Sequence, residues 1–350
     1  MTMLNCQEEM ATYHTDKVTL GKSEQDEMRD RRNAGRTRLT KGLQRDGHPL
    51  PKEQASQGSY AMRTMHQDEQ TDYDIDDGDY FDKDDLTDVF GLALSSYAAR
   101  ARVCDALKQD DRLKHPAENK DNCVRQRYPE GYHIDIPVYR ISYLKNSGGD
   151  EVAVYEHASG NAWVESDARA VTRWFNGYVG DLNADQPDGS QLRRIVKLTK
   201  KQARSRIAWK LKTTSGICMT KLVVDHFVAC PDRDDEALYE TWTAIHESLK
   251  ASQQVHHPVL DGQNLADEGD PEVLFFRDRL GEALRTLEVL KKVACTRAQA
   301  RKAWDEVFGT TFFSDQLIND DSDDGGKKRG PFILTSSEAA RRNDGDRRFG

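Results

Sequence analysis

The chain has 350 residues, 37% hydrophobic and 32% charged, with a net charge of −9. That length holds one large domain or two joined lobes, and the acidic balance argues against general nucleic-acid binding through a basic surface. The six cysteines form no CxxC pair, which excludes a zinc ribbon or thioredoxin-like signature, and there is neither a secretory h-region nor a membrane-length apolar run. We therefore expect a cytoplasmic protein with no membrane association, and with Cys218 and Cys230 as buried thiols.

Residues 1–15 read as a flexible N-terminus. The charged segment Asp16–Leu43 suits a helix, weakened by Gly35 and the β-branched Thr37 and Thr40. Pro49 and Pro51 mark Asp46–Gln57 as a linker. A Gly-Ser turn and an acidic region follow, in which eleven of the 21 residues Asp68–Asp88 are Asp or Glu. Leu92–Leu107 predicts a helix, with Leu92, Leu94, Ala98, Ala101 and Leu107 as core positions.

Tyr132–Ile141 is the clearest strand, because Tyr132, Ile134, Ile136 and Val138 alternate with His133, Asp135 and Pro137. Val152–Tyr155 pairs beside it after the turn Ser147–Asp150. The second half is helical. Gln191–Leu211 is basic and periodic, and Ser215–Cys230 is apolar nearly all round and so buried. Glu236–Ala251, Glu272–Val293 and Arg297–Phe308 are amphipathic. Residues 314–350 are polar and predicted to be disordered. Strands early and helices late give an α+β fold. Its parts are a core at 16–190 that includes the N-terminal helix, a helical lobe at 191–313, and a tail.

The chemistry concentrates in Gln57-Gly58-Ser59, Asp74-Ile75-Asp76 and Ile134-Asp135-Ile136. Residues i and i+2 of a strand face one way, so Asp74 and Asp76 point together, and Asp135 points away from its two isoleucines. Three carboxylates on one sheet face repel unless cations neutralise them. Two Mg²⁺ ions, or Mn²⁺ in their place, would do so and would stabilise an in-line displacement at phosphorus. Gly58 lets the backbone approach closely, and Ser59 offers a hydroxyl to a phosphate oxygen. Nine Lys or Arg fall between Arg193 and Lys212. On a helix, Lys197, Lys200, Lys201 and Arg204 share a face suited to a triphosphate.

This order resembles the polymerase-β-like nucleotidyltransferase superfamily, and more closely the bacterial cGAS/DncV-like nucleotidyltransferases of CBASS anti-phage systems. The strings Gln57-Gly58-Ser59-Tyr60, Asp74-Ile75-Asp76-Asp77-Gly78 and His133-Ile134-Asp135-Ile136-Pro137-Val138-Tyr139 carry the resemblance. So does Gln191-Leu192-Arg193-Arg194, followed by Lys200 and by Ser215 opening a buried helix. It spans residues 16–313 and is strongest to the DncV-type cyclic GMP–AMP synthase branch.

The resemblance implies a nucleotidyltransferase core sheet facing a helical C-terminal lobe. It further implies catalytic and metal-binding roles for Asp74, Asp76 and Asp135. Gln57, Gly58, Ser59 and Tyr60, with Lys200 and Ser215, would hold the nucleotide. Substrates would be ATP, GTP or other NTPs, and the product a cyclic dinucleotide, with cyclic GMP–AMP the candidate, read by a downstream effector. Two departures stand out. Met62 occupies the position three past Ser59 where relatives carry an aromatic, and no Cys/His insertion for DNA activation is present. Gly350 closes a polar tail and suits a C-terminus conjugated by a ubiquitin-like system, or is simply where the chain stops. A nucleotidyltransferase that modifies RNA or protein without cyclising is the alternative function.

Overall fold

The computed structural model describes residues 3–67, 73–108, 114–129, 131–182 and 190–316. Helix α1, Gln7–Tyr13, runs into a π turn at His14–Val18. This corrects the reading of residues 1–15 as flexible. Met3, Cys6, Met10 and Tyr13 recur at helical spacing, and all four are buried in the helical core. The helix expected from Asp16 is broken at Thr19, which is extended, and α2 runs Lys22–Arg45.

The expected linker also contains structure. Strand β1, Glu53–Gln57, leads into the single-turn helix α3, Gly58–Ala61, and pairs antiparallel with β2, Tyr73–Asp82. Helix α4, Ser96–Lys108, starts four residues after Leu92, because the Ser95 hydroxyl accepts from the Ala98 N–H at 3.2 Å and caps it. Leu92 is 66% exposed, and Ala98 and Ala101 are half-buried, as is Leu94. The face buried is Ala99, Val103, Cys104, Ala106 and Leu107.

The remaining strands are β3 (Glu118–Asn119), β4 (Val124–Tyr128), β5 (Tyr132–Ile136), β6 (Val138–Lys145), β7 (Glu151–Ser159) and β8 (Ala162–Glu165). Pro137, which has no N–H, splits the expected strand Tyr132–Ile141 into β5 and β6. Both halves still pair parallel to β2 in one register, and the Pro137 carbonyl accepts from the Asp79 N–H at 2.9 Å. The sheet runs β3-β4-β5-β2-β6-β7-β8, with β1 also on β2.

The helices that follow are α5 (Ala168–Leu182), α6 (Gln191–Ala203), α7 (Gly216–His226), α8 (Asp234–Ala251), α9 (Pro271–Leu287), α10 (Arg297–Phe308) and α11 (Phe312–Asp315). Helix α6 stops short of Leu211, with a 3₁₀ turn at Ile207–Trp209, and α9 stops short of Val293, which is exposed. A small two-stranded pairing, Val255–His256 with Asn264–Ala266, was not anticipated. Cys218 is buried, whereas Cys230 is only half-buried. No helix among the described residues is long and apolar enough to cross a membrane. The tail from 317 onward, including Gly350, lies outside the described residues.

Two cores divide the work. One face of the sheet packs on α2 and α4 through Ile75, Phe81, Ile134, Ile136 and Val138. The helices α5–α11, together with α1, bury a separate cluster centred on Trp242, Trp304 and Phe276. The opposite sheet face buries a smaller cluster of Tyr80, Tyr139 and Ile141 at one end and carries the polar groups described next at the other.

Candidate active site

The β2–β5 register fixes the constellation. Asp74 lies beside His133 and Asp76 beside Asp135 across the parallel ladder, so these four side chains share one sheet face. Ile75 and Ile134, paired in the same ladder, face the core behind them. The acidic string thus splits by alternation. Asp77 points to the core face, where Arg36 clamps it with two bonds of 2.7 and 2.5 Å, and Asp79 is held there by Gln54 at 2.8 Å.

Asp74, Asp76 and Asp135 line one cavity of about 520 Å³. Burial pushes the Asp76 carboxyl up to about 8, and the neighbouring Asp74 and Asp135 charges add to the shift. Asp135 is partly compensated by Arg125, its antiparallel neighbour on β4, which donates to both carboxylate oxygens at 2.8 and 2.7 Å. Each carboxylate oxygen has a second lone pair, so this clamp orients Asp135 without exhausting it. His133 is buried with neither ring nitrogen hydrogen-bonded, and its Nε2 lies 3.8 Å from an Asp135 oxygen. One ligand atom each from Asp74, His133 and Asp135 fall within 4.8 Å of one another. Repelling carboxylates beside an unsatisfied imidazole are a donor set that could hold a divalent cation.

The Gly58 turn forms the near wall. Gly58 has φ +63°, and a Cβ there would lie 2.3 Å from Asp76 Oδ2. Only glycine lets the Gln57–Ser59 backbone reach the carboxylates. Ser59 lines the cavity as expected. Gln57 also lines it, but its side chain is a strut, donating to Tyr139 Oη at 3.0 Å and accepting from Tyr80 Oη at 3.1 Å. Those two rings stack at 4.4 Å. Tyr60 does not line the cavity. Its ring packs against the sheet core beneath the Arg32 guanidinium, 5.5 Å away. Met62 does line the cavity and joins the helical core.

The far wall comes from the helices. Lys200 is buried and donates from Nζ to Thr64 Oγ1 at 3.2 Å. Burial brings its ammonium down to about 7, with the Arg204 charge adding to the shift and Asp74 opposing it. Arg204, Gly216 and Ile217 complete this wall. Ser215 does not: it is exposed and caps α7, accepting from the Cys218 N–H at 3.3 Å, and thereby fixes where Gly216 and Ile217 stand.

The basic segment is not one phosphate-facing stripe. Arg193 donates to the Met62 carbonyl at 3.1 Å, Arg194 pairs with Asp234, and Lys201 donates to the Gln67 carbonyl. Of its members only Lys200 and Arg204 line the cavity. Arg125 and His133 are the residues that sequence reasoning missed. Alternation alone puts His133 on the face of Asp135, whereas Arg125 reaches it only through the β4–β5 pairing.

Residues 52–139, which carry Gly58, Ser59 and all three carboxylates, match the family "Cyclic GMP-AMP synthase DncV-like, nucleotidyltransferase domain". The fold is similar to Vibrio cholerae DncV cyclic AMP–GMP synthase in complex with the linear intermediate 5′ pppA(3′,5′)pG. That match has a TM-score of 0.67 and 17% identity, over 89% of this chain and 97% of the other. It is also similar to Escherichia coli MS115-1 CdnC with ATP, with a TM-score of 0.64 and 18% identity, over 87% of this chain and 98% of that one. Escherichia coli DncV in its 3′-deoxy GTP bound form gives a TM-score of 0.64 and 18% identity, over 85% of this chain and 94% of the other. At these identities the likeness is one of fold, while the family match falls on the segment that bears the carboxylates. Residues 52–139 match a DncV-like nucleotidyltransferase domain, and the chain shares the fold of DncV and CdnC.

Proposed function

We propose that this nucleotidyltransferase joins two nucleoside triphosphates and closes them into a cyclic dinucleotide, cyclic GMP–AMP, as a second messenger of anti-phage defence. The observation that carries the reading is the carboxylate block Asp74, Asp76 and Asp135 facing Lys200 across a single cavity. In this reading Asp74, Asp76 and Asp135 hold two Mg²⁺ ions, and His133 adds a nitrogen donor that makes Mn²⁺ acceptable. The ions, when bound, supply charge neutralisation at the reacting phosphate. Ser59 and Lys200 hold the donor triphosphate, and Arg204 with the first N–H groups of α7 adds positive potential. Ser215 acts through the helix start it caps.

A ribose hydroxyl oxygen held in line forms a bond to the α-phosphorus as the α–β bridging bond breaks. The electron pair leaves with pyrophosphate, and the hydroxyl proton passes to solvent. Positioning and charge complementarity supply most of the acceleration. A second transfer in the same cavity closes the ring. The similarity in fold to DncV holding a linear 5′ pppA(3′,5′)pG intermediate supports this order. The net charge of −9 supports nucleotides over RNA as acceptors.

The test is incubation of the full chain with the four labelled NTPs and Mg²⁺, followed by phosphatase and mass spectrometry. A phosphatase-resistant cyclic product containing one guanosine and one adenosine supports the proposal. Label in protein or RNA would establish the non-cyclising reading instead.

A further inference from the structure

His133 stands on the active-site face with its polar atoms unused. It is 7% exposed, and neither ring nitrogen has a hydrogen-bond partner among the described residues. A buried imidazole in that state costs stability unless something binds it. Its Nε2 lies 3.8 Å from an Asp135 oxygen, too long for a hydrogen bond, and both Asp135 oxygens already accept from Arg125. The spacing suits two ligands of one ion instead, since atoms bonded to a common cation at about 2.1 Å stand at most about 4.2 Å apart. Asp74, exposed and lining the cavity, is a third donor. Among the described residues these three form the only group of His, Cys, Asp or Glu whose ligand atoms all lie within 4.8 Å of one another. Asp76 shares their sheet face but not that grouping.

We propose that Asp74, His133 and Asp135 bind one Mn²⁺ ion by themselves, before any nucleotide arrives, so that the two cations of the site are unequal. One is resident and selected by its affinity for nitrogen; the other comes with the triphosphate. The proposal rests on the nucleotidyltransferase reading for what the resident ion serves, but its binding does not depend on turnover. Mg²⁺ keeps much of its water and is held by one or two carboxylates together with substrate phosphates, so a purely carboxylate site is incomplete without nucleotide. Three protein donors on one ion remove that dependence. Two carboxylates with one imidazole suit Mn²⁺, which takes oxygen ligands as Mg²⁺ does and accepts nitrogen more readily. Arg125 serves this site as a positioning residue, because its two bonds fix Asp135 while leaving each oxygen a further lone pair.

The test is titration of the nucleotide-free full chain with MnCl₂, followed by electron paramagnetic resonance of the bound ion. Wild type should bind one Mn²⁺, and an equal concentration of Mg²⁺ should not displace it. The pulsed spectrum of the complex should show nitrogen coupling, and growing the protein on ¹⁵N-histidine should change that coupling, which assigns it to imidazole without any substitution. His133→Gln should lose the coupling and at least about tenfold in Mn²⁺ affinity. Its melting temperature in EDTA should match wild type, which verifies the fold. A wild-type complex without nitrogen coupling, equal Mn²⁺ affinity in His133→Gln, or no binding until nucleotide is added overturns the proposal. Nitrogen-ligated Mn²⁺ in a chain that makes no cyclic product would sink the proposed function and leave the resident metal site standing.

Discussion

Gly58 stands directly against Asp76: a methyl group on its Cα would lie 2.3 Å from the Asp76 Oδ2, and its φ is +63°. The phosphate-side turn and the carboxylate floor are therefore one unit, built around a missing side chain. Gly58→Ala should cost about 1–2 kcal/mol of stability for the left-handed backbone. It should cut nucleotide transfer by about a hundredfold or more, because Asp76 must swing aside. Denaturant titration and initial rates check both, and an alanine variant with wild-type rate contradicts the arrangement.

Arg125 is the counter-charge that lets Asp135 stand beside Asp76. The pair is neither fully exposed nor fully buried, so Arg125→Leu should lose about 1–3 kcal/mol in EDTA, between the values for surface and buried pairs. Mg²⁺ should restore part of that loss by replacing the missing positive charge. Equal stability of variant and wild type in EDTA would show that the clamp contributes nothing.

The carboxyl of Asp76 sits at about 8 against an ordinary 3.8. Between those values the native state holds a proton that the unfolded chain has released, so stability falls as pH rises through this window. Buried Asp79, also raised to about 8, acts in the same direction. Melting temperatures in EDTA from pH 5 to 8.5 should therefore decline, and Asp76→Asn should flatten the decline without unfolding the protein. An unchanged slope would mean that Asp76 is not strained by its neighbours.

Lys200, brought down to about 7, is largely neutral at pH 8 in the free protein. A triphosphate favours the ammonium form, so binding at pH 8 should take up a proton, and affinity should fall as pH rises above 7. Calorimetry of nucleotide binding in EDTA, in buffers of different ionisation enthalpy, reads the uptake. Lys200→Met should abolish it and weaken binding at pH 7 by about tenfold or more. Uptake that persists in Lys200→Met would move the role to another group.

What the sequence made legible was whatever depends on alternation. Asp74 and Asp76 share a face because strands have period two, and Ile134 and Ile136 point away from Asp135 for the same reason. What it hid depends on register. The meeting of Arg125 with Asp135 needs β4 paired to β5 at one offset, which no local pattern states. Strand β1 was hidden because Glu53–Gln57 lacks apolar alternation and is held by pairing with β2, with Gln54 and Ser56 bonded to Asp79 and Asp77. Helix α1 was readable in the spacing of Met3, Cys6, Met10 and Tyr13, but seven helical residues are too few to form without the core they enter. Ser215 was rightly placed at a helix start, and its capping bond to Cys218 is the role the structure gives it.

The central claim is that transfer ends in a closed ring. The most direct measurement is the ratio of pyrophosphate released to NTP consumed, with the nucleotide product characterised in the same reaction. Ring closure predicts one pyrophosphate for each nucleotide and a low-molecular-weight product resistant to phosphatase. One pyrophosphate for every two nucleotides, with a phosphatase-sensitive dinucleotide, would contradict cyclisation, and label confined to a macromolecule would contradict the small-molecule acceptor altogether.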